Sequence, residues 1–512
     1  MNKKVSLRLA VVAGALAACT SVWAKPVVVA QPADIRSTDP GVNRDNTTDG
    51  VILNVIEGLV GYREDGSVAP LLAESIDISD DKLTYTFKLR EGVKFHNGQP
   101  MTSADVLWSW KRYMDPATGW RCLGEFDGRG DLKVTDISAP DARTVVMKTD
   151  RASAVFLDSL ARTDCGMAGI IHRDSVKADG SWDKPIGTGP YTFEDWRRGQ
   201  YVTIKRFADY VSPPGDKPDG YVGKKTATID EVRFLVVPDP STSRAGLQSG
   251  AINLAQVTFT DYKELNASKN VDVILPLEAT KHSLLFQTRD PLLKNKKLRQ
   301  AIAASMDVEQ IVLAATENVV KDYNASAVHT RSAFYSDAQK KGYAYDPAKA
   351  QKLLQEAGYK GEKIVIFANK RAHVPSYQVA VMAQAMMQSV GINAQIEVLE
   401  WATQLDRYNK GNYQISSFSY SSRLDPALSY EQFSGNKDDQ PRKVWESPEA
   451  LKLLAQSFVE FDPKKRQAMF DDLHGMMLDD TPLMVLFNGS TAWGSTKDLK
   501  GFTIWEGKPL MW

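Results

Sequence analysis

Hydrophobic and polar positions alternate most strictly between residues 83 and 90, where Leu83, Tyr85, Phe87 and Leu89 interleave with Thr84, Thr86, Lys88 and Arg90. A period of two places the apolar set on one face, so the stretch predicts a half-buried strand. The preceding residues, LLAESIDI, predict its partner, joined through the polar turn 79–82. Glu91-Gly92 and Asn97-Gly98 then mark a tight loop, and Thr102 followed three residues later by Asp105 marks a capped helix start. That helix would carry Val106, Trp110 and Tyr113 on one face.

The same reading extends along the chain. The apolar run from residue 26 predicts a buried strand, followed by a loop over 31–43 and a helix carrying Val51, Asn54, Val55 and Gly58. Short strands are expected near Val134 and Val145, and again at 191–193, 202–206 and 232–236. A helix over about 242–248 closed by Gly250 and a strand at 252–255 follow. Between 363 and 425 strand and helix patterns take turns, which implies right-handed crossovers and a parallel sheet. Met382, Met386 and Met387 read as helix-on-sheet core.

Length and charge narrow the picture. At 512 residues and a prior of roughly 150 residues per domain, about three domains are expected. Lys plus Arg equals Asp plus Glu at 63 each, so no global field steers the chain toward nucleic acid, and charge selectivity must be local. Lys3, Lys4 and Arg8 ahead of the apolar run 9–18, with small residues ending at Ala24, predict an export signal over 1–24 and a periplasmic location. An alternative is lipidation at Cys19 after Leu16-Ala17-Ala18. Loss of Cys19 leaves Cys122 and Cys165 in an oxidising compartment, either bonded to each other or as two buried thiols.

Enzymatic and metal chemistries find little support. The six histidines lack ligand spacing, and His96 reads as a residue that satisfies its own tight loop. The glycine-rich stretch 124–130 lacks the strand before it and the Lys-Ser/Thr after it that a phosphate cradle requires. No GxSxG motif occurs and Cys165 has no identifiable base nearby, so no catalytic residue, resident metal or cofactor is expected.

LAES, the stretch TYTFKLREGVKFHNGQPMTSADVLWSWKR and Gly187-Thr188-Gly189-Pro190-Tyr191 together resemble the extracytoplasmic solute-binding proteins of family 5, which serve ABC importers for peptides and nickel. LLFQTRDPLLKNKKLRQAIAASMD at 284–307 and AQKLLQEAGY at 350–359 fit the same pattern. The resemblance implies an α/β type II periplasmic binding protein with two lobes around a cleft and an extra inserted α+β domain. Lobe I would comprise 25–58, 185–280 and 490–512, the inserted domain 59–184, and lobe III 281–489, with hinges near His282 and Phe487. It further implies a monomeric receptor that closes on a peptide-like solute and delivers it to a permease with ATPase subunits.

Ligands of open α/β sheets gather beyond the carboxyl ends of the strands. The corresponding loops nominate Thr38, Asp39, Thr258, Phe259, Arg371, Trp401, Tyr420, Arg423 and Asp425. The resemblance places Arg423 where peptide-binding members carry an Asp that pairs with the ligand's amino group. The inverted sign favours a carboxylate or phosphate on the ligand, so the runner-up cargo is an anionic non-peptide such as an opine or sugar-phosphate conjugate, or a nickel chelate. The competing reading is an arginine held by Asp425 or another cleft acid for structural reasons.

Overall fold

The computed structural model describes residues 25–130 and 132–512. The export signal and Cys19 lie outside the described residues. Among the described residues no helix is long and apolar enough to cross a membrane.

Thr84–Leu89 is a strand whose Tyr85, Phe87 and Leu89 are buried, as the alternation requires. It pairs antiparallel with Ala73–Ile78 on one side and Thr144–Thr149 on the other, and Val134–Asp141 completes a four-stranded sheet. Helix Ser103–Tyr113 buries Val106, Trp110 and Tyr113. At its start the Asp105 carboxylate accepts from the Thr102 backbone N–H and hydroxyl, each at 2.9 Å, which satisfies an orphan donor of the first turn.

A seven-stranded mixed sheet runs in the order Val271–Ile274, Trp493–Thr496, Leu254–Gln256, Val27–Gln31, Glu231–Val236, Tyr201–Arg206, Tyr191–Arg197. Val27–Gln31 lies in its interior, parallel to both neighbours. Its strands come from both ends and the middle of the sequence. Helix Pro240–Ser249 packs nearby and ends at Gly250 in the left-handed conformation, φ +75°.

The helix expected to carry Asn54, Val55 and Gly58 stops earlier, as Asn46–Ile52. Tertiary partners claim the backbone beyond it. The carbonyls of Asn54 and Val55 accept from Tyr191 and Gly189 at 3.2 and 3.0 Å, and the Asn54 side chain binds Pro509 O and Met511 N of the C-terminal tail. This close approach explains Gly187-Thr188-Gly189, since a Cβ on Gly189 would lie 2.7 Å from Asn54 O. His96 clamps the same segment, accepting from Gly187 N–H at 3.2 Å through Nδ1 and donating from Nε2 to Gly189 O at 3.0 Å.

The remaining sheet has five strands in the order Ala394–Val398, Ile364–Ala368, Ile415–Tyr420, Lys281–Phe286, Leu483–Asn488. The first three are parallel, as the alternation over 363–425 predicts, and the last two are antiparallel additions. Two apolar cores cover its faces, and Met386 and Met387 of helix Ser376–Ser389 belong to one of them. Two segments, 275–280 and 489–492, run between the seven- and five-stranded sheets. They are stitched together by Glu278 N–H to Gly489 O and Gly489 N–H to Thr280 O, both 2.9 Å.

Candidate functional site

Strand Ile415–Tyr420 ends between the sheets and feeds residues 421–425 into helix Pro426–Glu431. Asp425 caps that helix through Ala427 N–H at 2.8 Å, and its two oxygens take both terminal nitrogens of Arg466 at 2.9 and 3.0 Å. Asp425 is therefore occupied by the fold and leaves Arg423 free for another partner. Arg423 donates to Ser422 O at 2.8 Å and to Asp164 Oδ2 at 3.1 Å, across from the four-stranded unit.

Asp164 is the centre of a guanidinium cluster. Arg162 reaches both its oxygens at 3.1 Å, and Arg121 Nε lies 3.3 Å from Oδ2. Arg44, paired with Asp49, contributes to the same field, and Glu125 holds the far side of Arg162 at 2.8 Å. Four guanidiniums thus gather around Asp164, with Arg162 and Arg423 largely desolvated and Arg121 half exposed, while Asp49, Glu125 and the field of Glu431 offset part of their charge. Burial alone would raise the Asp164 pKa, but the charges of Arg162 and Arg423 outweigh it and hold the carboxyl well below the usual range. Burial and the like charges of Arg121 and Arg423 lower Arg44 to about 10, so it stays protonated at neutral pH.

A second polar group adjoins the first. Hairpin Thr503–Trp505 and Lys508–Leu510 presents Glu506 at its tip, in a left-handed turn with φ +47°. The Glu506 carboxylate accepts from Ala279 N–H of the crossing segment at 2.8 Å, from Arg331 at 2.7 Å and from the Ser422 hydroxyl at 2.6 Å. Burial, aided by the charge of Arg423, lowers Lys281 to about 7, and its ammonium donates to Ser429 Oγ at 2.8 Å. Burial of the His329 ring, only 3% exposed, lowers its pKa to about 3, and neither of its nitrogens has a hydrogen-bond partner among the described residues.

The nominated residues fall into five places. Arg423 and Asp425 flank the cluster just described. Arg371 stacks on Trp401, 3.9 Å from the ring centroid, and donates to Asn369 Oδ1 at 3.0 Å. Thr258 caps helix Phe259–Asn266, and both Thr258 and Phe259 line a narrow cavity of about 80 Å3 with Ala372, His373, Glu317 and Thr491. That cavity lies between the seven- and five-stranded sheets, and the Thr260 hydroxyl crosses it to Glu317 at 2.6 Å. Tyr420 is core, packed among Phe418, Tyr408 and Phe433 and 4% exposed. Thr38 and Asp39 turn toward the four-stranded unit instead. Thr38 accepts from Trp182 Nε1 at 2.8 Å, and the Asp39 oxygens take Arg112 at 2.9 and 2.5 Å.

Cys122 and Cys165 are joined in a disulfide. The sulfurs close to Asp164 are therefore no thiolate ligands for a metal. Arg44, Arg121, Arg162, Asp164 and Glu506 were not legible as site residues, because the contacts that bring them to Arg423 are made between segments far apart in the chain. The available signals were charge beside each half-cystine, Arg121-Cys122 and Asp164-Cys165, and charge inside the apolar tail IWEGKPLMW.

Three sheets, a crossing pair of segments and a cluster of charges between the units have the arrangement of a multidomain periplasmic binding protein. Residues 67–441 match the family described as bacterial extracellular solute-binding proteins, family 5 Middle, and the chain belongs to that family. The dipeptide-binding protein DppE of Bacillus subtilis (strain 168) is 25% identical over 473 residues, spanning 88% of this chain and 84% of its own. The glutathione-binding protein GsiB of Escherichia coli (strain K12) is 25% identical over 521 residues, spanning 96% and 94%. The solved structure of the binding protein AgaA of A. tumefaciens R10 in complex with agropinic acid superposes with a TM-score of 0.76 at 25% identity, covering 94% of this chain and 95% of that one.

Proposed function

We propose that this chain is the extracytoplasmic receptor of an ABC importer for a peptide-like solute that carries at least one carboxylate. The observation that carries the reading is Arg423, aimed between the sheets and grouped with Arg44, Arg121 and Arg162 around a single aspartate. A guanidinium with little solvent around it pairs with an acid and repels an amine. The solute would be captured by closure of lobe III (281–489) onto lobe I, with the crossing segments as hinges, and handed to a membrane permease driven by ATPase subunits. The chain would act as an exported monomer, released after Ala24 or anchored at Cys19, and would perform no reaction on its cargo. Arg371 on Trp401 would supply a further cationic and aromatic wall, with Thr258 and Phe259 opposite.

Relatives named for a dipeptide, glutathione and agropinic acid all take small solutes. The same cluster gives a second reading, an anionic non-peptide such as an opine, because it recognises charge rather than a peptide backbone. Native mass spectrometry of the mature protein purified from its host separates the two by the mass of the released solute. Arg423→Ala should weaken binding of that solute by about 1.5 to 3 kcal/mol, roughly 10- to 150-fold, for one charged hydrogen bond. Calorimetric affinity unchanged by the substitution would remove Arg423 from the site.

A further inference from the structure

The disulfide lies directly against the guanidinium cluster, and four of the cluster's charges are within three residues of a half-cystine. Arg121 precedes Cys122 and Glu125 follows it by one short turn, Leu123–Glu125; Arg162 and Asp164 precede Cys165. The two segments come from positions 43 residues apart. Among the described residues no backbone hydrogen bond joins 121–125 to 162–168. Apart from the disulfide, the polar links between them are side-chain contacts: Arg162 to Glu125 at 2.8 Å, Arg121 to Asp164 at 3.3 Å and Trp120 Nε1 to Cys165 O at 2.9 Å. Arg121 is half exposed, so its pair contributes little rigidity by itself. Just after Cys165 the backbone is also unusual, with Met167 and Ala168 both left-handed at φ +56° and +44°, a conformation that a non-glycine residue keeps only where surrounding contacts impose it.

We propose that the Cys122–Cys165 disulfide is a positioning element of the solute site. It fixes Asp164 beside Arg121 and Arg162, and Asp164 in turn holds Arg423 in the place from which it receives the solute's acidic group. Both half-cystines are buried, 1% and 0% exposed, so the bond acts as a fixed brace. Arg423, 10% exposed at its side chain, comes from the opposite unit, and Asp164 is its carboxylate partner. The inference rests on the proposed acidic cargo only for its consequence in binding; the brace itself is independent of cargo.

The test uses phenylglyoxal, which modifies accessible arginine, on the full mature protein, with peptide mass mapping of Arg423. In the Cys122→Ala/Cys165→Ala variant the modification rate at Arg423 should rise at least fivefold. Arg299, held by four backbone carbonyls in the five-stranded unit, should keep its rate. Asp164→Asn with the disulfide intact should reproduce the rise, and combining it with the cysteine substitutions should add nothing. An unchanged Arg423 rate, equal acceleration at Arg299, or additive effects would each overturn the brace, the second by revealing a general loss of stability. Alanyl-glutamate serves as the binding probe, with an expected fivefold or greater loss of affinity in the cysteine variant. Failure of alanyl-glutamate to bind the unmodified protein counts against the peptide-like cargo, while the Arg423 rate still decides the brace.

Discussion

Asp425 and Arg423 are two residues apart, and burial gives them different work. The Asp425–Arg466 pair is almost free of water, with side chains 6% and 8% exposed, and both terminal nitrogens are engaged. Removing the carboxylate strands a buried guanidinium, which typically costs about 3 to 5 kcal/mol, and deletes a helix cap worth about 1 kcal/mol. Asp425→Ala should accordingly lower the unfolding free energy by about 4 kcal/mol or more in urea titration. A loss under about 1 kcal/mol would mean that the pair is not maintained in solution. Arg423→Ala leaves Asp164 still bridged by Arg162 and Arg121, so its effect belongs mainly to solute affinity.

At the scale of elements, half-buried histidines couple strands and loops to pH. His282 on strand Lys281–Phe286 stacks on Phe487 of the neighbouring strand, ring centroids 4.4 Å apart, and burial lowers its pKa to about 4. His96, clamping the Gly187–Gly189 segment, is likewise lowered to about 4 by burial. Because each folded value lies below the unfolded value of about 6.5, the unfolded chain binds more protons between those limits. The stabilisation is complete above about pH 6.5 and is lost as pH falls toward 4, at about 1.4 kcal/mol per unit for each histidine. Unfolding free energies at pH 7.0, 5.5 and 4.5 should fall along that slope, and His282→Gln should make it shallower. A flat profile would show that both rings titrate normally. The strand Thr84–Leu89 and the cap of helix Ser103–Tyr113 were legible because alternation and capping are local. The end of helix Asn46–Ile52 was not, since the carbonyls of Asn54 and Val55 just beyond it are claimed by residues more than a hundred positions away.

For the whole molecule, one carboxylate joins segments of the different units. Glu506 on the C-terminal hairpin receives groups from the crossing segment, from Arg331 and from Ser422, so it bridges its hairpin, the crossing segment and the five-stranded unit. Glu506→Gln keeps the shape and removes the charge. With hydrogen bonds to a charged group worth about 1.5 to 3 kcal/mol, it should shift the open–closed balance by about tenfold toward open. Small-angle scattering should then show a larger radius of gyration for the solute-free variant, and the solute should dissociate faster. Identical scattering and dissociation would confine Glu506 to a local role in its hairpin.

The sequence by itself determined the periodic elements, the parallel strand succession over 363–425, the family resemblance and the sign of Arg423, since each depends on neighbours in the chain or on a contiguous motif. Only the tertiary structure decided which charges meet. Arg44, Arg121, the Arg162–Asp164 segment and Arg423 come from four separate stretches, and a Coulomb interaction depends on distance in space, which linear spacing does not encode. The same holds for Cys122 and Cys165, whose pairing needed two distant segments to bring their Cα atoms to 5.5 Å.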